Sequence, residues 1–135
     1  MNLYLASEYD TRRGFGAYCA FYEQDGQHAL RSWRTQQGAT NDSLALEAAC
    51  DSLEQLTHIV PVVVYTQNHA LLKGCVEHIG ERRRKMAMGL PVAHAQLWQY
   101  LDRHIDEWAG YPVALTWQLG SHPAAQKEMA RLMIR

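Results

Sequence analysis

The pair Asp25-Gly26, set between two long β-prone stretches, constrains this chain more than any other feature. A two-residue hairpin loop of type I′ needs positive φ at both central positions, and Asp-Gly accepts that conformation readily. Residues 17–24 and 27–36 are therefore expected to pair as antiparallel strands, the second carrying Leu30 and Trp33. Residues 2–7 read as a shorter strand with Leu3 and Leu5 on one face, followed by a loop over 8–14. Three antiparallel strands open the domain.

The second half alternates strands with helices. Thr40-Asn41-Asp42-Ser43 offers several N-cap candidates, and Leu46, Ala49, Cys50, Leu53 and Leu56 follow at helical spacing. The near-continuous apolar run over 60–66 suits a strand buried on both faces in the middle of a sheet, with Pro61 at its opening. A helical region over 70–85, broken by Gly74 and Gly80, is followed by a loop over 86–90. Pro91 precedes a long helix with the stripe Leu97, Trp98, Leu101, Ile105 and Trp108, ended by Gly110 and Pro112. Residues 113–119 form a last strand, Gly120-Ser121-His122-Pro123 a turn, and residues 124–133 a closing helix. The order β-β-β-α-β-α-α-β-α implies an α/β domain with one mixed five-stranded sheet flanked by helices.

A chain of 135 residues with 47% hydrophobic and 20% charged residues fits a single domain, 1–135, with a real core. Thirteen Lys and Arg against fourteen Asp and Glu leave a net charge of -1, so any polyanionic partner must be met by a local patch. Three widely spaced cysteines without a C-x-x-C pair argue against a disulfide framework or a structural zinc site, and fit a reducing cytoplasm. No two of the seven histidines stand at a ligand spacing, so no metal site is assigned to them. Neither a secretory signal nor a run of about 20 apolar residues is present, which predicts a soluble chain with no membrane contact. Trp98, Trp108 and Trp117 are assigned to core packing rather than base stacking.

Three stretches resemble the type 1 ribonuclease H family. Gly14-Phe15-Gly16-Ala17 resembles the glycine-rich entry to the family's second strand, and Thr40-Asn41-Asp42-Ser43-Leu44-Ala45-Leu46-Glu47-Ala48-Ala49 its T-N-N-x-x-E-L-x-A-A motif. Pro91-Val92 with Leu97-Trp98-Gln99-Tyr100-Leu101-Asp102 resembles P-V-x-N-x-D-L-W-x-x-L-D. The resemblance covers nearly the whole chain and implies a ribonuclease H-like fold. It also implies a chemistry in which four carboxylates hold two magnesium ions about 4 Å apart to activate a water and neutralise the leaving oxygen.

On this resemblance the four carboxylate positions fall at Ala6, Ala45, Gln67 and Lys127. Two alanines donate nothing, a neutral amide is a weak ligand, and a lysine repels cations. The expectation is a catalytically degenerate domain with no catalytic residue, no metal and no cofactor. Glu8, Asp42 and Glu128 lie close enough in sequence to rebuild a displaced single-metal site, although Asp42 is expected to serve as the helix cap. His122 stands near the place of the family's loop histidine and is read as a solvated turn residue.

Arg82-Arg83-Arg84-Lys85 falls at the family's basic protrusion, which grips the DNA strand of an RNA/DNA hybrid. Thr40 and Asn41 match positions that approach a phosphate and the RNA strand, and His94 replaces an asparagine near the same phosphate. Arg12 and Arg13 add cations in the first loop. Three readings follow: a non-cleaving binder of an RNA/DNA hybrid or other duplex, a module for a protein partner or a homodimer, and an active hybrid ribonuclease with relocated metal ligands.

Overall fold

A computed structural model describes residues 1–35 and 38–134. Five strands, β1 (Asn2–Asp10), β2 (Phe15–Gln24), β3 (Gln27–Thr35), β4 (Val62–Thr66) and β5 (Leu115–Leu119), form one sheet in the order β3-β2-β1-β4-β5. The helices are α1 (Asn41–Glu54), α2 (His69–Cys75), α3 (Ile79–Ala87), α4 (Ala95–Ala109) and α5 (Pro123–Met133). β1, β2 and β3 are antiparallel, while β4 lies parallel to both β1 and β5, so the sheet is mixed as the sequence implies.

Gln24 pairs with Gln27 across Asp25 and Gly26, whose φ angles of 52° and 78° are those of a type I′ turn. The expected end of β3 at Gln36 lies outside the described residues. β1 continues beyond Ser7 to Asp10, and β2 starts at Phe15 rather than Ala17. Asp10 causes this extension by closing a tight turn. Its carbonyl accepts from Gly14 N at 2.9 Å, and its Oδ1 accepts from Arg12 N and Arg13 N at 3.0 and 3.1 Å. Gly16 is required where the strands meet: a Cβ there would stand 2.8 Å from both the Glu8 carbonyl and a Tyr9 ring carbon.

Helices cover the two faces unequally. Leu3, Leu5, Tyr18, Ala20, Tyr22, Val62 and Val64 pack beneath Leu44, Ala45, Ala48, Ala49 and Leu53 of α1 and Trp98, Leu101 and Trp108 of α4. On the opposite face Phe15, Ala17, Cys19 and Phe21 meet Ala125, Met129, Leu132 and Met133 of α5. Because α5 lies over β1, β2 and β3, β4 is not buried on both faces as its apolar run suggests. Val62, Val64 and Thr66 are buried, Val63 and Tyr65 only partly, and the central strand is β1.

The helical region over 70–85 resolves into two helices. Asn68 caps α2, accepting from Leu71 N at 2.8 Å, and the chain turns when Val76 N and His78 N both donate to the Lys73 carbonyl. α3 runs past the expected boundary to Ala87 and ends where Gly89, at φ 73°, lets Leu90 N reach the Lys85 carbonyl. Thr40, not Asp42, caps α1: its Oγ1 accepts from Ser43 N at 3.0 Å and Ser43 Oγ accepts from Thr40 N at 2.8 Å. Asp42 sits within the first turn. Among the described residues no helix is long and apolar enough to cross a membrane.

Candidate functional site

Parallel pairing of β1 with β4 runs from Asn2↔Val63 to Tyr4↔Tyr65 and then stops, while β1 stays paired with β2 as far as Asp10. A crevice opens where two parallel strands part at their carboxyl ends, the usual ligand position of such sheets. Here it is a pocket of about 390 Å³. β1 contributes Leu5, Ala6, Ser7 and Glu8, the end of β4 contributes Thr66, Gln67 and Asn68, α1 contributes Asn41, and α5 contributes Gln126, Met129 and Ala130.

Part of this wall is fixed by hydrogen bonds. Asn41 Oδ1 accepts from Tyr9 N at 2.9 Å, and Asn68 is occupied on both sides, accepting from Leu71 N and donating to Asp42 Oδ1 at 2.9 Å. Gln126 Nε2 donates to Ser121 Oγ at 3.0 Å. The side chains of Ser7, Glu8 and Gln67 have no hydrogen-bond or ion-pair partner among the described residues.

Of the four positions assigned to carboxylates, the structure brings two together. Ala6 and Gln67 line the pocket, whereas Ala45 is buried in the core and Lys127 is exposed and off the wall. The α5 residue facing the pocket is Gln126, one position before the sequence-based assignment, with Met129 and Ala130 on the same helical face. Of the three acids considered as replacements, only Glu8 reaches the pocket. Asp42 is held by Asn68, and Glu128 is paired with Arg131. Among the described residues no three His, Cys, Asp or Glu side chains gather in a metal-holding group. One carboxylate among neutral amides and hydroxyls does not fit a pair of divalent cations, which need several anionic oxygens.

The basic tetrapeptide is not one free patch. Arg82 is 6% exposed, its Nη1 and Nη2 each donate to the Asp102 carboxylate at 2.8 Å, its Nε donates to the Gly74 carbonyl, and its guanidinium lies 4.0 Å over the Trp98 ring. Arg83 reaches Asp102 at 3.1 Å and Asp106 at 3.0 Å. Lys85 pairs with Glu81 one turn back, which holds the exposed Glu81 carboxyl below its usual range. Arg84 is exposed and makes no salt bridge among the described residues. The tetrapeptide therefore divides into a buried tie between α3 and α4, two surface pairs and one outward cation.

Other sequence-selected residues take mixed positions. Thr40 and Asn41 stand exposed at the start of α1, and His94, in a left-handed conformation at φ 57°, precedes α4 beside Asp42, His78 and Lys73 around an apolar cavity of about 340 Å³. Arg12 is exposed, while Arg13 is committed to Asp10 and the Met133 carbonyl. His122 is not a solvated turn residue. Its Nδ1 accepts from Ala124 N at 3.0 Å to cap α5, and its ring stacks 4.4 Å from Phe21. Asn68 and Gln126 were missed by sequence reasoning, although the polar triplet Thr66-Gln67-Asn68 closing an apolar strand carried a signal for the first.

No family model matches this chain. It is 34% identical over 104 residues to a ribonuclease H of Herminiimonas arsenicoxydans, covering 72% of this chain and 68% of that protein. Ribonuclease H of Bordetella avium is 27% identical over 111 residues, 80% of this chain and 71% of its own length. Among solved structures, RNase H1 from the halophilic archaeon Halobacterium salinarum superposes with a TM-score of 0.59 at 15% identity, over 98% of this chain and 92% of that one. LC11-RNase H1 in complex with RNA/DNA hybrid gives 0.61 at 13% identity, over 95% and 91%. At these identities the structural matches speak for the fold alone.

Proposed function

Since the chain belongs to the type 1 ribonuclease H family, we propose that it binds an RNA/DNA hybrid or another nucleic-acid duplex without cleaving it. The pocket wall carries this reading: where β1 and β4 part, and the family resemblance implies metal-bound carboxylates, stand Ala6 and Gln67, and among the described residues Glu8 is the only acid on the wall. Each absent carboxylate removes charge that two-metal hydrolysis requires, so the reading involves no divalent cofactor. A structural relative described in complex with RNA/DNA hybrid supports the choice of ligand. On this chain the contacts fall to Thr40, Asn41 and His94 around the start of α1, with Arg84 and Lys85 on the outer side of α3. Arg82 and Arg83 act by holding that helix in place.

Binding of a labelled hybrid across a salt series tests the proposal. Two to four phosphate contacts predict a slope of log K against log salt between about -2 and -4. Charge reversal of Arg84 and Lys85 should flatten it, and the RNA strand should stay intact with magnesium present. No affinity at low salt would sink the reading.

Strand β3 favours a second reading, a protein-interaction or self-association module. It forms one end of the sheet and leaves Leu30 42% exposed on an unpaired edge. A stable dimer by light scattering, with no hybrid affinity, selects it. An active ribonuclease with relocated ligands rests on Glu8, and metal-dependent cleavage abolished by Glu8→Gln selects that one.

A further inference from the structure

The donor set of the pocket says more than that a metal pair does not fit. We infer that the pocket between β1, β4, α1 and α5 is a recognition site for an uncharged nucleoside unit, the base and ribose of one residue, held by side-chain hydrogen bonds. The inference rests on the nucleic-acid reading above and specifies what occupies this site.

Charge comes first. Among the described lining residues there is no Lys, Arg or His, and the single ionisable side chain is the acid Glu8. A phosphate placed there meets no cation and one carboxylate, so the occupant is neutral where it touches the wall. The polar groups also have assigned senses. With its Oδ1 engaged by Tyr9 N, Asn41 keeps Nδ2 as a donor, and with its Nε2 engaged by Ser121, Gln126 keeps Oε1 as an acceptor. Ser7 and Gln67 are free to present either. A mixed donor and acceptor array of this kind matches the edge of a nucleobase, which presents both. Glu8 accepts only, and the hydroxyl donors of a ribose satisfy it.

Shape agrees with the chemistry. Leu5, Ala6, Met129 and Ala130 add apolar surface between the polar groups, a seat for the face of a base. Alanine at position 6 therefore removes a carboxylate and supplies apolar surface in one step. The volume of about 390 Å³ lies within the roughly 300–1,000 Å³ of small-ligand pockets.

Titration of the isotope-labelled chain with adenosine, guanosine, cytidine and uridine, following the side-chain amide signals of Asn41, Gln67 and Gln126 by NMR, tests this. At least one ribonucleoside should move these signals saturably, while inorganic phosphate or magnesium chloride alone should leave them in place. The matching 2′-deoxynucleoside should bind about five- to tenfold more weakly, the loss expected for one hydrogen bond, and Glu8→Ala, which removes the acceptor, should erase that difference. No saturable movement with any nucleoside, or equal movement with phosphate or magnesium, overturns the inference. Hybrid binding is measured on the same samples. If the hybrid binds and no nucleoside does, this inference alone fails; if nucleosides bind and the hybrid does not, the duplex reading alone fails.

Discussion

The guanidinium of Arg82 meets the carboxylate of Asp102 through two hydrogen bonds of 2.8 Å, joining α3 to α4 with both side chains largely out of water, at 6% and 15% exposure. The planar fork and the face of Trp98 beneath it make this an arginine site in which lysine cannot substitute. Breaking such a pair from one side leaves a buried charge, which costs about 3–5 kcal/mol. Arg82→Met should fall near the low end, about 3 kcal/mol, because Arg83 still reaches Asp102. Arg84→Ala, on the same helix but outward, should lie within about 0.5 kcal/mol of the parent. Urea unfolding of the two variants measures the contrast, and equal losses would show that the tetrapeptide is one surface run.

Gly74 and Trp98 define a second tight contact. An added Cβ at position 74 would stand within 2.6 Å of the Trp98 ring. Helix propensity alone favours Gly74→Ala by about 0.8–1 kcal/mol. Overpacking a fixed ring costs about 1–3 kcal/mol, and the Arg82 guanidinium lying 4.0 Å over the Trp98 ring holds it in place, so the steric cost wins. The variant should be destabilised, by up to about 2 kcal/mol. A gain in unfolding midpoint would mean that the ring moves freely.

The features legible in the sequence are those encoded over a few residues. Asp25-Gly26 specifies its own turn and so the pairing of β2 with β3, and the apolar spacing after Thr40 marks α1. Ala6 and Gln67 could be placed in one pocket because the resemblance put them on neighbouring strands, and they flank the point where the β1–β4 pairing stops at Tyr4↔Tyr65. The face of α5 could not. Successive helical residues differ by about 100°, so a slip of one residue across the shortened turn exchanges Lys127 for Gln126 at the wall. The fate of the basic run depended on Asp102, twenty positions away on another helix, for which no local pattern exists.

Burial pushes the thiols of Cys19, Cys50 and Cys75 up to about 12. In the unfolded chain a cysteine ionises near 8.5, so above about pH 8.5 the unfolded state releases protons that the folded state still holds. Stability is therefore complete below that point and declines as pH rises towards 12. Tyr18 adds to the decline, since burial and its hydrogen bond to Asp51 raise its phenol. The urea midpoint should drop steadily between about pH 9 and 11. At pH 8 a disulfide reagent should label the native thiols only as fast as the protein unfolds, and immediate labelling would contradict their burial.

Thr40 has one structural duty and one proposed duty, and a pair of substitutions separates them. As the N-cap of α1 it accepts from Ser43 N; as a candidate phosphate contact it stands exposed beside Asn41. Thr40→Ala removes the cap oxygen and should lower stability by about 1 kcal/mol, with a modest loss of hybrid binding. Thr40→Asp retains a strong cap at the positive end of the helix, so stability should stay within about 0.5 kcal/mol of the parent. The new carboxylate then faces the phosphate that the hydroxyl would approach, and repulsion should weaken hybrid binding at least tenfold at low salt. Unfolding midpoints and hybrid dissociation constants of the two variants supply the comparison. If Thr40→Asp binds as tightly as the parent, the start of α1 does not touch the duplex and Thr40 is a cap alone.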